Sequence, residues 1–510
     1  MAGFQENASL RVPGIAPDLQ TLVPFNPQML TAALGQLDAI IGHAMAETGV
    51  PGLAAAVVHD GEVLYARGFG IRDMTTSAPV DPLGNTVFQL ASVSKPLSAT
   101  VVARAADLGA VKWTDPVTGH LPSFALADPY VTAQVTLGDL FSHRSGLPDH
   151  AGDLLEDLGY GQEQVLEQLR LEPLAPFRAT WHYTNFGLTA AAVAAAAAAG
   201  QPWPDLARDL LFDPVRMLSS SFRYSDFLGF DDRAAMHVRE GAQWVQKYTR
   251  DADPQAPAGG ASSTVRDLAK WLTLQLAGGT WNGQPLIGGD ALAQAWLPWA
   301  RSGTPSVPRA RSGFYGLGTN VSYDYTGRLR LSHSGGFAQG AATAITMVPL
   351  DGLGMVVLTN GMPIGVPEAI IGYFLDHVYA GSPQQNWLAL FGERFAQMYV
   401  NHSQLAGKTP PASPVPPQPD SFYQGTYENP YYGPVEVTAV GGALHLLIGP
   451  KPSDFPLKHW SGDLFAFFPT GENAVGITAA TFSPGAGGTR AQGVTLEYYD
   501  ATGLGTFTRA

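Results

Sequence analysis

The chain contains no cysteine among its 510 residues, which excludes disulfides, thiolate catalysis and cysteine-based zinc sites. Charge is sparse at 14%, against 45% hydrophobic residues, a balance that excludes wholesale disorder and supports substantial cores. There is no basic excess. The net charge of −14 argues against a nucleic-acid surface. Long apolar runs are missing too. The low-complexity stretch from Ala190 to Ala199 is mostly alanine and too short to cross a bilayer, so it reads as a tightly packed helix and no membrane span is expected. The opening MAGFQENASLRVPG lacks a basic segment followed by an apolar one, so no secretory signal is read and the expectation leans to a cytoplasmic location, with a secreted or periplasmic one left open. No G-x-S-x-G and no H-E-x-x-H occurs, which disfavours a nucleophile elbow and a zinc-protease helix. Nothing calls for a metal or another cofactor.

What is present falls into blocks, and the length predicts more than one unit. Residues 1–29, rich in proline and polar side chains, read as an arm over the surface. Leu30–Ala46 has helical apolar spacing, stopped by Gly49-Val50-Pro51-Gly52. Leu53–Val58 and Val63–Phe69 read as strands joined through His59-Asp60-Gly61-Glu62, and Asp-Gly between two such runs signals a hairpin. A helix is predicted over Val93–Leu108, and helical patterns dominate to about residue 255. Strand patterns return at Gly316–Tyr323, Leu329–Ser332, Ala342–Pro349 and Leu353–Asn360, followed by helices at Pro367–Tyr379 and Gln385–Tyr399. The order β, then mostly α, then β–α predicts a mixed α/β (α+β) fold. An antiparallel sheet is assembled from both ends of the segment, flanked by helices, with a helical subdomain at about 96–255. Residues 406–420 hold six prolines and read as a stiff linker. Residues 421–510 alternate short strands with glycine-rich turns, the pattern of a small all-β barrel or sandwich.

Three short motifs carry chemistry. Ser92-Val93-Ser94-Lys95 is an S-x-x-K at a helix start, and no other serine has lysine three residues on. Residues three apart share a helix face, so the Lys95 amine can reach the Ser92 hydroxyl. Burial would lower that amine's pKa and make it a usable base for a serine that needs one. Tyr183-Thr184-Asn185 offers a phenol that can share a proton and an amide that can grip a carbonyl. Two further Y-x-N triplets, at Tyr399–Asn401 and Tyr427–Asn429, read as structural. His333-Ser334-Gly335-Gly336 follows a strand pattern. A Gly-Gly pair on an edge strand admits close backbone approach, and the Gly336 N–H could complete an oxyanion hole. His59-Asp60-Gly61 shares the H-x-G pattern but reads as the hairpin turn, and His150-Ala151-Gly152 has no strand before it. His143 and Asp139 read as structural residues.

Taken in order, with Ser92, Tyr183 and His333 separated by 91 and 150 residues, the motifs resemble those of the serine β-lactamase-like and penicillin-binding-protein superfamily. The likeness is to its branch of class C β-lactamase-like and D-aminopeptidase-like hydrolases. Val50-Pro51-Gly52, the segment Val135–Leu147 with its His143-Arg144-Ser145-Gly146-Leu147, Leu211–Met217, and Ala258-Gly259-Gly260 with Asp267-Leu268-Ala269 resemble recurring stretches of that branch. The resemblance implies a catalytic domain over 30–405, with Ser92 as nucleophile, Lys95 as its proton partner and Tyr183 as proton carrier. Asn185, His333 and Ser334 would bind substrate, and the N–H groups of Ser92 and Gly336 would form the oxyanion hole. The C-terminal residues 421–510 resemble the lipocalin-like barrel appended to some members, on Tyr423-x-Gly425-x-Tyr427, Tyr432-Gly433, Leu457-x-His459-Trp460 and Phe507-x-Arg509. Such a module would shape or cover the mouth of the site, mediate assembly, or serve as a passive stabilising unit.

The expected activity is that of a serine hydrolase forming an acyl-enzyme at Ser92 with a small amide or peptide, in the manner of an amidase or D-aminopeptidase. An esterase, an acyltransferase or a weak β-lactamase on the same site is the alternative, and a non-catalytic ligand-binding or sensor protein is the rival of another class. His333 stands where relatives carry the lysine of K-T-G and is mostly neutral at pH 7, so a fixed positive charge for a substrate carboxylate is missing. Leu188 stands where many relatives carry an aromatic. Partners are small molecules, with a homo-oligomer open.

Overall fold

In the computed structural model, which describes residues 19–305, 307–485 and 487–510, the first helix spans Pro27–Thr48. It starts earlier than the apolar spacing alone predicts because Asn26 caps it, accepting from Gln28 N at 2.9 Å, with Pro27 at the first helical position. Gly49, at φ 68°, ends it. Of the expected N-terminal arm, residues 1–18 lie outside the described residues. The rest is laid against a sheet hairpin through Leu22 N and Thr326 O at 2.9 Å. The hairpin read at Asp60-Gly61 joins strands Gly52–His59 and Glu62–Asp73. Asp60 and Gly61 both have positive φ, 48° and 83°, the turn whose twist suits paired strands.

These strands enter a nine-stranded antiparallel sheet. Its spatial order is Ala300–Arg301, Phe314–Tyr315, Asn320–Tyr323, Leu329–Phe337, Ala341–Val348, Leu353–Thr359, Gly52–His59, Glu62–Asp73, Ala78–Pro79. The two ends of the segment meet where Leu53 pairs with Thr359, the assembly the sequence predicts. Strand Gly52–His59 is covered on both faces, hence its almost unbroken apolar sequence. Leu53, Ala55 and Val57 pack under helices Pro27–Thr48 and Val366–Ala380, while Ala54, Ala56 and Val58 face the larger helical layer. In that layer lie Ser94–Asp107, the alanine-rich Asn185–Ala199, and Val265–Leu276.

One predicted strand is split. Gly316–Tyr323 is instead a tight reversal between Phe314–Tyr315 and Asn320–Tyr323. The cause is close packing on the Lys95 helix. Gly318 has φ 71°, and a Cβ there would press on the Lys95 carbonyl. The late helix is also shorter than its pattern, Trp387–Ala396 followed by a 3₁₀ turn at Gln397–Tyr399.

Residues 425–509 form a closed barrel of eight antiparallel strands, each beside its chain neighbour, sealed by Tyr427 pairing with Arg509. Inward residues alternate along the strands, and Tyr423, Tyr427, Phe465, Phe482 and Phe507 fill the interior. This is the packing expected of an eight-stranded barrel with large side chains. The barrel docks on the helical layer, where Tyr431 OH receives the Gly152 N–H at 3.1 Å and Tyr160 OH donates to Tyr432 O at 2.7 Å. Among the described residues no helix is long and apolar enough to cross a membrane.

Candidate active site

Ser92 sits in a 3₁₀ turn, Ala91–Val93, that feeds helix Ser94–Asp107, two residues ahead of that helix's first residue. Ala91 is held at φ 46°, a left-handed conformation that costs a residue with a Cβ roughly 1–2 kcal/mol. Its surroundings enforce it. Leu90 N donates to Ala261 O at 2.8 Å, Thr343 Oγ1 donates to Leu90 O at 2.7 Å, and Ala261 N donates to Ser94 Oγ at 2.9 Å. The result presents Ser92 half-buried above a fully buried Lys95.

Lys95 Nζ lies 3.0 Å from Ser92 Oγ, 2.7 Å from Asn185 Oδ1 and 2.9 Å from Ala258 O. The last two groups only accept. A neutral amine therefore spends both N–H bonds on them and turns its lone pair to Ser92. Burial pushes the Lys95 amine down to about 7, against the pull of Asp153 in the other direction. Tyr183 OH donates to Ser92 Oγ at 2.8 Å, and its ring lies 4.5 Å from Lys95 Nζ. Burial raises the Tyr183 phenol well above its ordinary value, so it remains a proton donor.

Asn185 opens helix Asn185–Ala199 and is engaged at both ends of its amide. Nδ2 donates to Asp153 Oδ2 at 2.9 Å, so only one of its hydrogens is left for a substrate carbonyl. Asp153 also meets His150 Nδ1 at 2.8 Å. Burial would lower His150, but the hydrogen bond and charge of Asp153 outweigh it and raise the imidazole. Neither residue stands out in the sequence: the H-x-G at His150 has no strand before it, yet His150 and Asp153 line the same cleft as Ser92.

Strand Leu329–Phe337 brings the third motif alongside. It is an interior strand only as far as Ser332. Beyond that its outer side has no paired strand and faces the Ser92 turn, so the Gly-Gly pair does stand on a local edge. A Cβ on Gly335 would collide with Leu90 O and Thr343 Oγ1 and lie 3.0 Å from Ser92 N. Ser334, Gly335 and Gly336 line the cleft. His333 is not among the residues that line the cleft: it is buried, with Nδ1 on Ser334 O at 2.7 Å and Nε2 on Tyr315 OH at 2.8 Å. A carbonyl accepts only, so the proton is on Nδ1 and the tyrosine donates to Nε2. Burial and the neighbouring Lys95 hold His333 down at about 3, so it is neutral. Both ring nitrogens are thus engaged within the fold, while Ser334 and the glycine backbone border the cleft.

His143 is buried, at φ 58°, with Nδ1 accepting from Thr184 N at 3.3 Å. Asp139 forms a capping box with Thr136 and pairs with Arg144 and Arg178. Leu188 packs in the core and forms no wall of the cleft. Tyr399, read from sequence as structural, does line the cleft, with its OH on Pro363 O at 2.9 Å, whereas Asn401 ties to Ile477 O at 2.9 Å. Tyr427 and Asn429 are structural in the barrel.

The cleft holds about 590 Å³, and its far wall belongs to the barrel: Gly471, Glu472, Asn473, Ala474 and Val475 line it with Ser92. Glu472 accepts from Ala338 N and Gln339 N. Beside it Arg250 pairs with Glu156 and lies 3.8 Å from Asp157. Nothing local in the sequence marks these residues.

The Beta-lactamase family model matches residues 37–380, well over half of the chain. The chain belongs to the Beta-lactamase family. A second model, described as a domain of unknown function (DUF3471), matches residues 409–502. Among relatives of this Beta-lactamase family member, "Unguisins hydrolase ungD" of Aspergillus violaceofuscus is 27% identical over 90% of this chain and 87% of its own length. "Esterase EstB" of Burkholderia gladioli is 32% identical over 37% of this chain and 51% of its own. The structure of an octameric penicillin-binding protein homologue from Pyrococcus abyssi superposes with a TM-score of 0.59, at 20% identity, over 91% of this chain and 98% of that one. Its likeness shows the shared mixed fold. The family is one of serine hydrolases.

Proposed function

We propose that the protein hydrolyses small amides or peptides through an acyl-enzyme on Ser92. The observation that supports this most is the placement of Ser92 Oγ between Lys95 Nζ, at 3.0 Å, and Tyr183 OH, at 2.8 Å. Neutral Lys95 takes the hydroxyl proton as Oγ attacks the substrate carbonyl carbon. The carbonyl oxygen becomes an oxyanion held by the N–H groups of Ser92 and Gly336. The tetrahedral intermediate collapses, the C–N bond breaks, and Tyr183 donates its proton to the leaving amine, regaining one from Lys95. A water then attacks the ester, its proton passing to the same pair; the C–O bond to Ser92 breaks, the pair returns the proton to Ser92 Oγ, and the carboxylic acid departs.

Asp153 and Asn185 set the position and charge of Lys95 in this scheme, and Ser334 borders the substrate. The neutral, occupied His333 supplies no cation for a substrate carboxylate, which weighs against a β-lactam or carboxypeptidase substrate. An esterase on the same site is the second reading, favoured by the likeness to an esterase over 204 residues.

The test is intact-mass spectrometry with p-nitrophenyl esters and D- and L-aminoacyl p-nitroanilides, product release being followed in parallel. The expected result is turnover with a trapped adduct on Ser92, and loss of both in Ser92→Ala. Full activity in Ser92→Ala would overturn the assignment. A stable adduct without release would favour a binding or sensor role instead, and release from esters alone would favour the esterase.

A further inference from the structure

Tyr183 gives the cleft a direction. A proton donor to the departing group must stand on the leaving-group side of Ser92, and the Tyr183 ring lies 6.3 Å from His333 and 6.3 Å from Trp181. The leaving group therefore exits at the His333 end of strand Leu329–Phe337. The acyl portion runs the opposite way, past Gly336 toward Phe337, Ala338 and Gln339.

At that end the barrel intervenes. Its loop between strands Leu464–Phe467 and Thr478–Pro484 is pinned to the helical layer by one carboxylate. Asp157 Oδ1 accepts from Glu472 N at 3.0 Å, and Oδ2 accepts from Asn473 N at 3.2 Å and from Asn473 Nδ2 at 3.1 Å. Gly471, at φ 134°, leaves no room for a Cβ against that carboxylate. So anchored, Glu472 takes the amides of Ala338 and Gln339 with its two oxygens. Both lie in the turn that follows the strand's end at Phe337, and the Ala338 N–H is the first donor that an extended acyl chain running past Gly336 would reach there. Beside them Arg250 lies 5.4 Å over the Phe337 ring, and Gln339 Oε1 is buried with no hydrogen-bond partner among the described residues. An N–H at the end of a short acyl group would satisfy that acceptor.

We infer that Glu472 is a specificity-determining residue which ends the acyl subsite, so that the enzyme selects acyl groups of no more than about two residues. Ala338 stands two residues past Gly336, one beyond the strand's last residue Phe337, a reach of at most about 7 Å. This rests on Ser92 being the acylated residue.

The experiment measures acylation of Ser92 in the full chain by N-acetyl-alanyl p-nitrophenyl esters carrying one, two, three and four alanines, in the D and L series, by intact mass. In the wild type the rate should fall at least tenfold between two and three alanines. Glu472→Ala should shrink that step to less than threefold, whereas Glu472→Gln, whose amide oxygen can still accept the Ala338 N–H, should keep it. The same length profile in wild type and Glu472→Ala, or no step in the wild type, would overturn the inference. Absence of any Ser92 adduct with every ester would overturn the Ser92 assignment as well. An adduct without a step overturns only the role of Glu472. If circular dichroism shows that Glu472→Ala does not fold, the wild-type profile and Glu472→Gln decide.

Discussion

Lys95 beneath Ser92 and Arg250 beside the barrel loop are both buried cations serving one cleft, and they differ in what surrounds them. Lys95 is met by a hydroxyl, an amide oxygen and a backbone carbonyl, with Asp153 reaching it only through Asn185. Arg250 pairs with Glu156, lies 3.8 Å from Asp157 and feels the charge of Glu472 nearby. Burial drives the lysine down to about 7. For the arginine the carboxyls outweigh burial and raise it further. Burial alone thus does not make a base. Desolvation without a direct counter-ion does, and the same desolvation with counter-ions makes a fixed clasp.

The comparison can be broken at either end. Lys95→Arg places a permanently protonated group where the proton acceptor belongs, and kcat/KM for an ester substrate should fall by about 10³-fold, read from initial rates. Arg250→Met leaves buried Glu156 without its counter-ion and removes the neighbouring cation from Asp157 and Glu472, and should cost about 3–5 kcal/mol of stability at pH 8. Part of the loss should return at pH 5 as the carboxyls take up protons, both measured by urea unfolding. Asn185→Asp would give Lys95 the direct counter-ion it lacks, so the acid limb of the kcat/KM–pH profile should move up by about one unit or more.

The smallest effect concerns the pH slope of stability. Burial, opposed by Arg250, raises the Glu156 carboxyl from 4.5 to about 7. Within that window the folded chain keeps a proton that the unfolded chain has released, so stability falls as pH rises. Lys95 acts oppositely between about 7 and 10.5, where the unfolded chain holds the extra proton. Glu156→Gln should flatten the decline in Tm between pH 4.5 and 7 and leave the alkaline slope as it is, which calorimetry across pH would show.

Much of the fold was legible because its signals are local. Asp60-Gly61 marks a turn, the apolar run at 53–58 marks a strand covered on both faces, and the alanine stretch marks a helix packed without bulky side chains. Ser92, Lys95, Tyr183 and Asn185 were legible for the same reason: each motif keeps its chemistry within three or four residues. The strand predicted through Gly316 was misread because its break comes from the Lys95 helix pressing on Gly318, a tertiary contact. Asp153 was hidden because its partners lie on other elements, and His333 could be placed on its strand but its bond to Tyr315 could not, since that partner comes from another element. Glu472 and Arg250 carry no pattern at all. They matter only because the barrel docks where it does.

Glu472 follows Ser92 by 380 residues in the chain. At a synthesis rate of roughly 5–20 residues per second, the ribosome adds the second of these residues about 20–80 s after the first. Helix Ser94–Asp107 and its neighbours can be made well before the barrel exists, so during that interval a nascent chain carries Ser92 with one end of its cleft unwalled. Selectivity that depends on the loop of the barrel is acquired last, as the final strands close.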